Sequence, residues 1–145
     1  MNIKLYLVDN HDGFRQALRT LLELQPDMTV IGEAANGKDG LQQILQHAPD
    51  VALLDIFMPG LDGIAVTRQI RHQRPDVCVI ILGMHPTEPY MQKAYEAGAQ
   101  AYIPKESAAL ELVDAIRASQ ITLSSVSGFP HVYTQRFPLQ SPFRK

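Results

Sequence analysis

The chain has 145 residues, 46% of them hydrophobic and 19% charged, with a formal net charge of −2. That is one domain's length of chain, long enough to bury a core without metal or disulfide, and it lacks the basic excess of a general nucleic-acid binder. A single cysteine, Cys78, excludes an intrachain disulfide and a cysteine-built zinc site, and there is no run of about 18 apolar residues to span a membrane as a helix.

The first apolar run, residues 3–8, contains Lys4 and ends at Asp9, so it reads as a strand and not as a signal peptide. Phe14, Leu18, Leu21 and Leu22 then fall at i, i+4, i+7 and i+8, one face of a helix. A second strand is expected at 28–32, followed by a helical stripe of Leu41, Ile44, Leu45 and Ala48. Residues 51–55 form a third apolar run, and a weaker stripe of Ile64, Thr67 and Ile70 follows within 62–73. The fourth strand is expected at 77–82, with Met91, Ala94, Tyr95 and Gly98 as the next stripe. The fifth is expected at 99–103, followed by Ala109, Leu112, Val113 and Ile116. Pro26-Asp27, Pro49-Asp50 and Pro75-Asp76 each end a helix and precede a strand.

Composition breaks near residue 118. Residues 1–118 hold all 15 acids, whereas 119–145 hold Arg136, Arg144 and Lys145 and no acid. The last segment also carries Pro130, Pro138 and Pro142 among Phe129, Tyr133, Phe137 and Phe143, without an apolar period. The expected division is a folded domain over 1–118 and a mobile tail or linker over 119–145.

Strictly alternating strands and helices with short loops require right-handed crossovers and a parallel sheet covered on both faces, a doubly wound α/β (βα)5 domain. The apolar runs Val51-Ala52-Leu53-Leu54 and Val79-Ile80-Ile81-Leu82 suit burial on both faces. Function in such a sheet belongs at the carboxyl ends of the strands. There the sequence places Asp9-Asn10-His11-Asp12 after the first strand, Asp55 at the end of the third and Gly83-Met84-His85 after the fourth. Pro104-Lys105-Glu106 follows the fifth. Converging carboxylates repel unless a cation lies between them, and Mg²⁺ takes oxygen ligands. Carboxylate, Mg²⁺ and lysine together suit the neutralisation of a transferring phosphoryl group.

These residues carry a resemblance. Val8-Asp9-Asn10-His11, Leu54-Asp55-Ile56-Phe57-Met58-Pro59-Gly60-Leu61-Asp62-Gly63, Glu96-Ala97-Gly98-Ala99 and Tyr102-Ile103-Pro104-Lys105-Glu106 resemble the receiver domain of bacterial response regulators, the CheY-like family. The similarity spans about residues 2–118 and is greatest to the branch that usually carries a C-terminal helix-turn-helix. The resemblance implies a flavodoxin-like five-stranded sheet of order 2-1-3-4-5. It implies that Asp55 accepts a phosphoryl group from a sensor histidine kinase and that Lys105 pairs with it. Mg²⁺ would be held by Asp9, Asn10, Asp55 and the Phe57 backbone carbonyl. Tyr102 would report phosphorylation on the face of the fourth helix, fifth strand and fifth helix, a face also open to homodimer formation. Such a chain is a cytoplasmic phosphoacceptor rather than an enzyme proper, with no direct DNA binding and no membrane partner.

Two departures bear on that reading. Asn10 stands where the family has a second acid, so Mg²⁺ loses a charged ligand and binding is expected to be weak. Gly83 stands where the family has Thr or Ser, which removes both a hydroxyl donor and a side chain that moves on phosphorylation. The expectation is open space beside Tyr102 and an output face near one conformation whether or not Asp55 is modified. Asp12 is expected in the first helical turn, where its charge suits the helix dipole, and Asp62-Gly63 in a turn and cap. An FMN-binding flavodoxin is excluded because Asp9 and Asp12 would repel its phosphate, and no Walker or GxGxxG loop occurs. The alternative that stays open is a phosphorylation-independent interaction module.

Overall fold

The computed structural model describes residues 2–84 and 88–124. Strands and α-helices alternate: β1 (Ile3–Val8), α1 (Asp12–Glu23), β2 (Met28–Ala34), α2 (Gly37–His47), β3 (Val51–Asp55), α3 (Gly63–Gln73), β4 (Cys78–Gly83), α4 (Glu88–Ala97), β5 (Ala101–Pro104) and α5 (Ala108–Ser124), with a 3-10 turn (Lys105–Ser107) leading into α5. All neighbouring strands pair parallel, in the order β2-β1-β3-β4-β5. The doubly wound sheet expected from the sequence is the observed one.

Strand periodicity divides the core in two. On one face Leu5, Leu7, Val51, Leu53, Ile80, Leu82 and Ile103 pack with Leu18 and Leu22 of α1 and Leu112 and Ile116 of α5. On the other, Tyr6, Val8, Leu54, Val79, Ile81 and Tyr102 pack with Ile44 of α2, Val66 and Ile70 of α3 and Met91 and Ala94 of α4. Every residue of β3 and β4 is buried, as a central strand covered on both sides must be.

Three boundaries differ from the sequence expectation by two residues or more, and β4 (Cys78–Gly83) is shifted by one. β2 runs on to Ala34 because the register slips between Leu5 and Tyr6, leaving Ile31 as the extra residue. β5 begins at Ala101 because the preceding residues close α4: Gly98, at φ +111°, donates to the Tyr95 carbonyl, and Ala99 donates to that of Ala94. This is a Schellman cap, and it withdraws Ala99 from the sheet. Finally, α5 continues to Ser124 and buries Ser119, so the composition break at 118 falls inside a helix. Extending a helix already nucleated is cheap, and loss of charge does not stop it. Residues 125–145, which hold the prolines and aromatics of the expected tail, lie outside the described residues.

The loop after β3 is shaped by a close approach. Asp62 caps α3, its side chain accepting from the Ala65 amide at 2.9 Å, and the Gly63 amide donates to the Ile56 carbonyl at 3.0 Å. A Cβ on Gly63 would lie 2.2 Å from the Asp55 carbonyl oxygen and 2.9 Å from the Ile56 Cα. These are backbone atoms with nowhere to go. Gly63→Ala is therefore expected to destabilise the domain by about 1–3 kcal/mol, the usual range for overpacking, measured by urea denaturation.

Candidate functional site

Strand alternation decides which side chains meet at the carboxyl edge. Leu5 and Leu7 precede Asp9, Val51 and Leu53 precede Asp55, and Ala101 and Ile103 precede Lys105, all on the face covered by α1 and α5. Asp9 and Asp55 are only 3% and 4% exposed. The Lys105 ammonium lies 2.9 Å from Asp9 Oδ2 and 3.5 Å from Asp55 Oδ1, and 4.5 Å above the Phe14 ring of α1. One cation thus serves two buried acids, held in place by an aromatic face.

Asp9 is fixed on its other sides. Its Oδ1 accepts the His11 amide at 2.8 Å, and its carbonyl accepts from Arg15 Nη1 at 2.6 Å. Its buried Oδ2 has the Lys105 ammonium as its ion-pair partner and no neutral hydrogen-bond donor among the described residues. Arg15 also pairs with Glu33 of β2 at 2.6 Å and with Asp12 at 2.8 Å. Asp12 thus sits in the first turn of α1, largely exposed and turned to Arg15, and does not replace the acid missing at Asn10. His11 accepts the Phe14 amide on Nδ1 and so caps the same helix.

Burial pushes the Asp55 carboxyl from 3.8 up to about 6, the Asp9 charge pushes in the same direction, and Lys105 and the Phe57 amide oppose them. Asn10 and Phe57 lie at the rim, both exposed, and Phe57 stacks edge-on against Tyr90 of α4 at 4.8 Å. A cleft of about 380 Å³ is lined by His11, Phe14, Met84, Lys105 and Glu106. A larger hollow, about 600 Å³ between β2 and α2, is remote from the acids. His85 lies outside the described residues.

On the opposite face of the sheet edge, Tyr102 is buried to 1% exposure, its ring laid over Gly83. A Cβ on Gly83 would lie 1.8 Å from the Tyr102 hydroxyl oxygen and 2.4 Å from Cζ. The space beside Tyr102 is therefore not open, as the glycine alone had implied, because the tyrosine itself fills it. Burial, and then the charge of Asp55, push the Tyr102 phenol up to about 12.

The sheet edge thus gathers Asp9, Asp55, Lys105, Gly83 and Tyr102, with Asn10 and Phe57 at its margin. Sequence reasoning did not single out Arg15 or Glu33. A basic residue in the first turn of a helix, where the dipole disfavours it, was the available signal.

A parallel sheet of this order with two acids and a lysine at its carboxyl edge defines a CheY-like receiver fold. The chain belongs to that family: the model of the response regulator receiver domain matches residues 5–117. It is 41% identical over 117 residues to the transcriptional regulatory protein LiaR of Bacillus subtilis, covering 81% of this chain and 56% of that protein. It is 39% identical over 116 residues to the response regulator UvrY of Escherichia coli, covering 80% of this chain and 53% of that one. The chain thus matches only about half the length of these curated relatives. A LuxR-family two-component response regulator from Aurantimonas superposes with a TM-score of 0.81 at 31% identity, over 96% of this chain and 99% of that one. The receiver domain of the putative response regulator NarL from Mycobacterium tuberculosis superposes at 0.78 and 32% identity, over 82% and 97%.

The shared lysine has a consequence for stability. A carboxyl raised in the folded state binds its proton more tightly there than in the unfolded chain. Its contribution to stability is greatest below 3.8 and is lost as pH rises through about 6. Without divalent cation, Asp55→Asn is expected to stabilise the domain by about 1–3 kcal/mol above pH 7, with the gain vanishing near pH 4. Urea denaturation at the two pH values checks both the sign and its pH dependence.

Proposed function

We propose that Asp55 is the phosphoacceptor of this two-component receiver, taking its phosphoryl group from a phosphohistidine on a sensor histidine kinase. The observation that carries this reading is the Lys105 ammonium set between Asp9 and Asp55 at the carboxyl end of the central strand. An Asp55 oxygen attacks phosphorus, and an O–P bond forms as the P–N bond breaks. The electron pair stays on the departing imidazole nitrogen, which takes a proton from solvent. With its carboxyl near 6, Asp55 is ionised and nucleophilic at neutral pH. Lys105 follows the negative charge to the phosphoryl oxygens. Receiver domains are not enzymes in the ordinary sense, and the self-catalysed gain and loss of this group is the whole of the chemistry.

Receiver domains generally depend on Mg²⁺, and the residues present fit it: a desolvated Asp9 Oδ2 without a neutral donor beside a second buried carboxylate is an oxygen donor set for a hard cation. Asp9, Asp55, the Asn10 amide oxygen and the Phe57 carbonyl would hold it. When bound, it supplies positive charge to the phosphoryl oxygens. No helix among the described residues is long and apolar enough to cross a membrane. Output through the face of α4, β5 and α5, including homodimer formation there, belongs to the same proposal.

Acetyl phosphate with Mg²⁺ is expected to add one phosphoryl mass to the wild-type chain and none to Asp55→Asn, read by intact mass. Equal labelling of the variant would refute the assignment. Asn10→Asp restores a unit charge worth up to about 4 kcal/mol at 4 Å and an effective dielectric near 20, of which hydration returns much. A gain in Mg²⁺ affinity of at least several-fold is expected by calorimetric titration.

One observation favours a second reading. Tyr102 is buried with its ring over Gly83, where no side chain has to move to admit it, which suits an interaction module whose face is set without phosphorylation. Comparing backbone shifts of α4, β5 and α5 with and without beryllofluoride separates the two. Small changes on saturation support the second reading, and large ones support a phosphorylation switch.

A further inference from the structure

Asp55 ends β3 at the carboxyl edge, next to the end of β4. Lys105 reaches it from the side of α1 and α5. Within the sheet the end of β4 lies beside it: Leu82 is the register partner of Asp55, and the Ile56 amide donates to the Leu82 carbonyl. The next residue, Gly83, has no side chain to offer at that edge. Its place is taken by the end of the Tyr102 ring, whose hydroxyl oxygen lies 1.8 Å from where a Cβ would be. A serine or threonine hydroxyl at residue 83 would lie one bond from that same point. The phenol oxygen therefore stands close to where a side-chain hydroxyl of residue 83 would have been. It is also near enough to Asp55 for the carboxylate charge to act on it.

Packing keeps it there. Tyr102 is 1% exposed within the cluster that includes Ile81, Met91 and Ala94. With any side chain at 83 this position of the ring would be forbidden, and glycine is what permits it.

We propose that the Tyr102 phenol is a fixed donor to the phosphoryl group on Asp55, in place of the side chain that Gly83 lacks. The inference rests on the assignment of Asp55 as phosphoacceptor. It makes Tyr102 a ligand of the phosphoryl group and no longer only a reporter of it. An oxyanion on Asp55 is then met by an ammonium from one face of the sheet and a phenol from the other. Hydrogen bonds to charged groups are the strong ones, and the ring is already held at this edge by its packing.

The test uses the full chain with Mg²⁺ and beryllofluoride, a stable mimic of a phosphoryl group on a carboxylate. In the unmodified protein, nuclear Overhauser contacts are expected between the Tyr102 ring and the Gly83 α-protons, and their absence would overturn the proposal whatever Asp55 does. On adding beryllofluoride, the Tyr102 Cζ resonance is expected to move. Tyr102→Phe, which keeps the ring, is expected to bind beryllofluoride at least about ten-fold more weakly. Tyr102→Ala should weaken binding as well, and Tyr102→Ala with Gly83→Ser should recover much of the loss, because a hydroxyl returns near that point from the other strand. A purely structural role for the ring would show no such recovery. Undiminished binding by Tyr102→Phe with an unmoved Cζ resonance would remove Tyr102 from the site and leave Asp55 in it. Equal binding by Asp55→Asn, or none by the wild type, would refute Asp55 and the role of Tyr102 with it.

Discussion

Two carboxylates, Asp9 and Asp55, are almost wholly buried at the edge of one sheet and share the single ammonium of Lys105. Burying a charge is costly, and burying two of one sign beside each other costs more. The rest of the edge is arranged around that constraint. Phe14 supports the lysine from α1, the His11 amide and Arg15 hold Asp9, and Glu33 and Asp12 hold Arg15. Burial, and then the neighbouring Asp9 charge, raise the Asp55 carboxyl. A site in this condition is poised to take up positive charge, which is what oxygen ligands around a divalent cation achieve.

The two faces of the sheet divide the labour. Alternation along β1, β3 and β5 sends Asp9, Asp55 and Lys105 to the side of α1 and α5, whereas Tyr102 and the missing side chain of Gly83 belong to the side of α3 and α4. The acidic site and the aromatic therefore approach each other across the end of β4, one strand from Asp55. Gly63 performs the corresponding service after β3, where its bare Cα lets α3 begin against the Asp55 carbonyl. After β3 the glycine is required by close backbone packing, whereas at 83 it is what lets the Tyr102 ring take its position.

Much of this is legible in the sequence. The strands, the helices and the carboxyl-edge positions of Asp9, Asp55 and Lys105 follow from local periodicity, because burial on two faces imposes period 2 on strands and about 3.6 on helices. Asp62 as the cap of α3 was equally local. The start of β5 was not, since Ala99 looks like a strand residue until its amide is seen closing α4. Nor was the end of α5, because the loss of charge after 118 says nothing about whether the backbone continues to hydrogen-bond.

The site shows the same division. Residue types and spacing determined which acids and which lysine share an edge, since parallel alternating topology brings every strand's carboxyl end to one side. They could not determine that Arg15 joins Asp9 to Glu33, because that contact spans 18 residues and depends on how α1 lies against β2. Nor could they place Tyr102. Glycine at 83 implies a gap when read along the chain, and only the packing of β5 against β4 shows the gap filled by a ring from the neighbouring strand. Sequence specifies what each strand carries to the edge. Which side chains occupy one another's space is decided by close packing between strands, a tertiary property with no local signal.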